Sequence, residues 1–142
     1  MATTFTAYDH LWKMLNTGGI DLDTDTLKVA LVTSAYTPSG AHTQWSDVSA
    51  NEVANGAGYT IGGIALSGVA VTNVNVDYND VTWTALTKTF RYAVIYKVGT
   101  GNGLTNPLLA YLLLDSTPAD VVSAGSNYTI QWNSTDKVFY KP

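Results

Sequence analysis

Asp80-Val-Thr-Trp-Thr-Ala-Leu-Thr-Lys-Thr-Phe-Arg-Tyr-Ala-Val-Ile-Tyr-Lys97 decides the reading of this chain. β-Branched and aromatic residues dominate it, and neither Pro nor Gly interrupts it. It reads as a strand over 80–84, a polar turn over 85–87 and a longer strand over 88–97. In the longer strand Arg91, Ala93, Ile95 and Lys97 point one way, and Phe90, Tyr92, Val94 and Tyr96 point the other. The segment holds no His, no Cys and no pair of carboxylates. Its content is architecture rather than chemistry.

Working outward, residues 107–114 are a strongly apolar strand, and the glycines at 99, 101 and 103 mark a hairpin tip between it and the long strand. Residues 116–125 read as a loop. Residues 128–132 and 137–140 read as a terminal hairpin. Upstream, residues 59–66 and 69–76 read as strands, with Gly62-Gly63 marking a bend or bulge. Residues 55–58 form a turn, 46–53 a second short helix, and 34–44 a polar loop. Residues 27–33, apolar on both faces apart from Lys28, read as a central strand covered on both sides. Residues 6–16 read as the one clear helix, with Thr6 and Asp9 as a capping pair, Tyr8, Leu11, Trp12 and Leu15 as the apolar stripe, and Gly18-Gly19 as the stop. The expected fold is mainly β: a single domain over 1–142, built as a β-sandwich or partly closed barrel of about eight strands. One N-terminal helix, and a second short one, accompany them.

Composition narrows the function. The chain has 142 residues, 46% hydrophobic and 13% charged. The charged share is about half the usual ~25%, so Thr, Ser, Asn and Gly carry the polarity. Such a surface is covered by a partner at low desolvation cost, which suits a subunit of an assembly. A formal net charge of −4 argues against a nucleic-acid partner, which wants a basic face. No cysteine is present, so disulfides and thiolate metal sites are excluded. The N-terminus lacks a secretory pattern, and no apolar run reaches the roughly 18 residues of a membrane span. Synthesis in a cytoplasm, with no membrane partner, is the expectation.

Candidate chemistry is thin. Asp21, Asp23 and Asp25 share the spacing that opens a calcium loop, but Thr26 stands where that loop needs glycine and Val32 where it needs glutamate. His10 and His42 have no spaced carboxylate to complete a zinc site. No base is set against a Ser or Thr nucleophile, and the glycine clusters lack phosphate-loop or dinucleotide spacing. Asp77 with Asp80, and Asp115 with Asp120, are neighbours that sugar hydrolysis can use, and that chance also supplies. Trp45, Tyr59, Tyr78 and Trp83 can stack on a sugar, or fill a core. Asn127-Tyr-Thr and Asn133-Ser-Thr match glycosylation acceptors, which mean nothing without secretion. No catalytic, metal or cofactor-binding residue is assigned, and no cofactor is expected. Tyr36, Trp45 and Tyr78, in or beside loops, are the candidate interface anchors; folding back to cap the core is the alternative for each.

Several segments carry a resemblance together: residues 20–38, Ala57-Gly-Tyr-Thr-Ile-Gly-Gly-Ile-Ala-Leu-Ser-Gly68, Val81-Thr-Trp83, Phe90-Arg-Tyr-Ala-Val-Ile-Tyr-Lys97, Pro107-Leu-Leu-Ala-Tyr111 and Tyr128-Thr-Ile-Gln-Trp-Asn133. In this order, over nearly the whole chain, they resemble a family of small virion structural proteins of tailed bacteriophages. The resemblance implies a non-enzymatic protein of the mature particle, a capsid decoration (cement) protein. Such proteins bind the major capsid protein on the outer shell at local three-fold positions, commonly as homotrimers, and clamp neighbouring capsomers. It supplies no functional residues. The alternative is a tail, fibre or adsorption component that binds host-surface glycan. A small hydrolase is the third class.

Overall fold

The computed structural model describes residues 4–72, 75–115, 117–132 and 139–140. The protein is mainly β, and among the described residues every strand pairing is antiparallel and one short α-helix is present. In chain order the elements are β1 (Thr4–Ala7), α1 (Leu11–Thr17), β2 (Leu27–Val32), β3 (Ile64–Ala65), β4 (Ala70–Val71), β5 (Asn75–Asp77), β6 (Val81–Phe90), β7 (Tyr92–Lys97), β8 (Thr100–Gly101), β9 (Leu104–Thr105), β10 (Leu108–Leu113), β11 (Val121–Ile130) and β12 (Phe139–Tyr140). Two 3-10 turns, Trp45–Asp47 and Ser49–Asn51, stand where a second short helix was expected.

A five-stranded sheet in the order β1-β10-β7-β2-β3 forms the middle of the protein. Both of its faces are buried, as the two-sided apolar character of β2 requires. Leu27, Val29, Leu31, Ala93, Ile95, Ala110 and Leu112 face a first core, which β6, β11 and α1 close with Val81, Trp83, Leu86, Phe90, Ile130, Leu11 and Met14. Ala30, Val32, Val94, Tyr96 and Leu108 face a second core, closed by Tyr8, Tyr36, Val48 and Trp45. The five-stranded sheet and the β6–β11 pair thus sandwich the first core. Each large aliphatic or aromatic side chain buried there contributes about 1.5–3 kcal/mol.

The decisive stretch folds differently in detail from its reading. No turn interrupts 85–87; β6 runs unbroken over ten residues. Ala85 is a bulge, with φ +49°, where the register against β11 shifts. The bulge leaves two successive residues, Thr84 and Ala85, facing out, so Trp83 and Leu86 both face in. A broken period of two mimics a turn in sequence. The real break is Arg91, where the chain passes from the β6–β11 pair into the five-stranded sheet. Hence Phe90 joins the first core while Tyr92, Val94 and Tyr96 face the second.

Other boundaries move for similar reasons. Thr6 does not cap a helix: residues 4–7 pair with Leu113–Ala110 of β10, and the helix begins at Leu11 after an uncapped His10. Leu11, Met14 and Leu15 form its inner stripe, Tyr8 belongs to the second core, and Trp12 is 55% exposed. Residues 69–76, expected as one strand, contain the β4–β5 hairpin; of 59–66 only β3 is strand. Residues 121–125 are strand, not loop. Of the expected terminal hairpin, residues 133–138 lie outside the described residues, and β12 pairs with β5. Gly63, with φ +77°, passes so close to the Val29 carbonyl that no side chain fits, which explains the Gly62-Gly63 bend beside β3.

Candidate interaction surface

The three expected anchors do not stand out as a contact surface. Tyr36 is 2% exposed and Tyr78 is 8% exposed, so both are corrected from exposed anchors to core residues. Each phenol has a partner that draws it inward. Tyr36 Oη lies 2.9 Å from Tyr8 Oη and 2.8 Å from His42 Nδ1. Tyr78 Oη donates to the Leu22 carbonyl at 2.7 Å. Burial raises the pKa of both, and of Tyr8, where the Tyr36 hydrogen bond adds to the effect. Trp45 is half-buried and stacks on Tyr96 with ring centroids 4.4 Å apart. Tyr36 and Trp45 therefore share the second core, and Tyr78 sits apart on the first.

Tyr59 and Trp83, weighed as sugar-stacking residues, are also core. The Tyr59 hydroxyl donates to Glu52 Oε1 at 2.7 Å and accepts the Leu31 amide at 3.2 Å. The paired carboxylates are each tied to local structure. Asp77 and Asp80 accept the Tyr78 and Trp132 amides. Asp115 accepts the Thr117 amide and hydroxyl, and Asp120 pairs with Arg91 at 2.9 Å. In the acidic turn Asp25 Oδ2 accepts the Asp21 amide and meets Lys97 Nζ at 2.9 Å. Asp21 Oδ1 accepts the Asp23 amide, which with the Thr24 hydroxyl holds the Asp21 carboxyl below the usual range. An open groove of about 460 Å³ runs beside this turn, lined by Leu15, Ile20, Leu22, Val71 and Val76 together with Asp21 and Asp23. Its lining brings no base to a nucleophile.

The arrangement nearest to acid–base chemistry is the Tyr8–Tyr36–His42 chain. Among the described residues no carboxylate hydrogen-bonds to His42; Asp47 Oδ2 accepts the Thr43 and Gln44 amides, which hold its own pKa low. His10 lies with its ring 6.4 Å from that of Tyr8.

The outward face of the β6–β11 pair is the surface that sequence reading missed. Thr82, Thr84, Thr87 and Thr89 on β6 and Val122, Ala124 and Ser126 on β11 are exposed, with Val122 at 71%. Thr82 and Thr129 hydroxyls bond across the pair at 2.8 Å. No side chain on this face is charged, because Lys88 falls on the inward phase beyond the Ala85 bulge. The signal was present as Thr-x-Thr at 82–84 and again at 87–89, hidden by the extra residue between them. Ten residues of strand span about 33 Å, and two strands about 10 Å, giving roughly 330 Å². That is under half of the ~800 Å² each partner contributes to a standard interface.

Among the described residues no helix is long and apolar enough to cross a membrane. No protein-family model matches the chain, and neither a curated protein nor a solved structure matches it.

Proposed function

We propose that this chain is a non-enzymatic bacteriophage virion protein, a capsid decoration protein that binds the major capsid protein on the outer shell and stabilises contacts between capsomers. The reading rests on the ordered sequence resemblance, and one structural observation supports it: the uncharged threonine-rich face of β6 and β11. Covering threonine, alanine and valine displaces no charge from water, and the hydroxyls can exchange water for partner hydrogen bonds. The face is too small for a strong solitary complex. On a particle that repeats the site many times, and with copies joined as a trimer, modest contacts sum to a rigid shell. The alternative of a glycan-binding tail or fibre component has less support, since Tyr59, Tyr78 and Trp83 are in the core.

The test is co-sedimentation of the purified chain with expanded empty heads, together with light scattering. Binding, with a trimer in solution, is the expected result. The Thr84→Lys/Thr89→Lys variant, charged on the outward face alone, should keep its melting temperature and lose the binding. A monomer at high concentration that ignores capsids overturns the proposal; a glycan-array signal in its place favours the alternative.

A further inference from the structure

We propose that the open groove beside the acidic turn is a socket for a second copy of this chain, filled by the corner that Ile61 and Lys28 form on that copy. The inference rests on the trimer of the proposed function, not on the capsid contact, and names what joins the subunits. Leu15 of α1, Leu22, Val71 of β4 and Val76 of β5 give the groove its apolar lining. Val71 is 52% exposed, and Trp12, three residues before Leu15 and so its neighbour on α1, is exposed as well. Apolar side chains left in water around a concave site mark a contact surface. The acidic side of the groove is held in shape: Tyr78 Oη fixes the Leu22 carbonyl, and Lys97 pairs with Asp25. Asp21 and Asp23 remain as the charged groups of the lining, both negative and with no cation among them. Asp23 is exposed, and among the described residues its carboxylate accepts no hydrogen bond and makes no ion pair. An occupant that suits this groove presents an apolar side chain next to a cation.

The chain carries that pair itself. Ile61, in the loop before β3, is 61% exposed. Lys28 of β2 reaches over the next residue of that loop: a side-chain carbon placed on Gly62 would lie 3.7 Å from Lys28 Nζ. The loop is pinned, so the corner is presented in one shape. The Ile61 amide donates to Asn55 Oδ1 at 3.0 Å, and Tyr96 Oη donates to the Gly62 carbonyl at 2.7 Å. The Gly62 amide donates to Glu52 Oε1 at 2.6 Å. Glu52 is the acid nearest this corner, and the same oxygen also accepts the Tyr59 hydroxyl. It makes no ion pair with Lys28. Among the described residues Arg91 and Lys97 are paired with aspartates, whereas Lys28 is not.

Corner and groove cannot meet within one molecule. Lys28 shares the strand phase of Ala30 and Val32, which face the second core, and Tyr96, which holds Gly62, belongs to that core too. Leu15, Leu22 and Val76 pack against the first core, on the other side of the five-stranded sheet. The contact is therefore heterologous. Each copy gives its corner to one neighbour and its groove to another, and three copies close a ring when the rotation between them allows. Burial of Ile61 against Val71 and Leu22 supplies the affinity. The attraction between Lys28 and the Asp21–Asp23 side of the groove fixes the orientation.

Sedimentation equilibrium of the full chain and its charge-reversed variants tests the contact without any capsid. Lys28→Glu and Asp23→Lys, each alone, set like charges together and should raise the concentration of half-dissociation at least about tenfold. Lys28→Glu/Asp23→Lys restores opposite charges and should restore the trimer. A wild-type trimer that both single variants leave intact, or a double variant that stays dissociated, overturns the inference and leaves the decoration reading standing. A wild-type monomer at high concentration sinks the contact and the trimer together. Should Lys28→Glu fail to fold, Ile61→Ser, on the exposed loop, decides: dissociation supports the contact, and an unchanged trimer refutes it.

Discussion

The Tyr8 and Tyr36 hydroxyls lie 2.9 Å apart inside the second core, joining the end of β1 to the loop that covers the sheet. Tyr8 is fully buried, so its hydroxyl depends on that contact. Tyr36→Phe removes the link and leaves Tyr8 and His42 without it. The expected cost is about 1–3 kcal/mol, the penalty for an orphaned buried polar group. Urea unfolding should show a lower midpoint at unchanged slope. Tyr8→Phe/Tyr36→Phe should cost less than the sum of the two single changes, because the double variant leaves no orphan between them.

Backbone strain supplies an ordered pair of predictions at the bulge. Ala85 holds φ +49°, a left-handed conformation that costs a non-glycine residue about 1–2 kcal/mol. Ala85→Gly relieves it, against about 0.4–1 kcal/mol of added unfolded-state entropy. Ala85→Val adds a β-branched side chain to the strain. Melting temperatures should rank Gly at or above wild type and Val clearly below; a Val variant as stable as wild type refutes the bulge.

Lys97 fastens the acidic turn to the end of β7. Its Nζ meets Asp25 Oδ2 at 2.9 Å and donates to the Gly19 carbonyl at 3.2 Å, with a side chain 13% exposed. Lys97→Met keeps the stem and removes the charge. The pair is partly screened, so the loss should be about 1 kcal/mol and should shrink in 1 M salt. Chemical unfolding at two salt concentrations measures both.

Alkali should unfold the protein cooperatively. Burial raises the pKa of Tyr8, Tyr36, Tyr59 and Tyr78, and pushes Tyr96 and Tyr128 up to about 12. A folded pKa above the unfolded value of 10 contributes stability that is complete below pH 10. It is lost as pH rises through the folded value. Absorbance of tyrosinate should therefore rise steeply above pH 10 together with the loss of circular dichroism. Smooth independent ionisation near pH 10 with the fold intact would contradict the buried phenols.

Local composition determined a great deal here. The two-sided apolar runs of β2, β7 and β10 are legible because a strand buried on both faces must be apolar at every position. Their residues announce it without help from the rest of the chain, as do the Gly18-Gly19 helix stop and the low charge. Tertiary structure alone decided what depends on distant partners. Thr6 and Ala7 read as the start of the helix, yet the ladder offered by β10 makes residues 4–7 the strand β1. Phe139 and Tyr140 pair with β5 rather than with the strand before them. Tyr36 and Tyr78 sit in polar sequence yet are drawn inward by hydrogen-bond partners on Tyr8 and Leu22, remote in the chain. Propensity is a property of a residue and its neighbours, whereas burial and pairing are set by whatever the fold brings alongside.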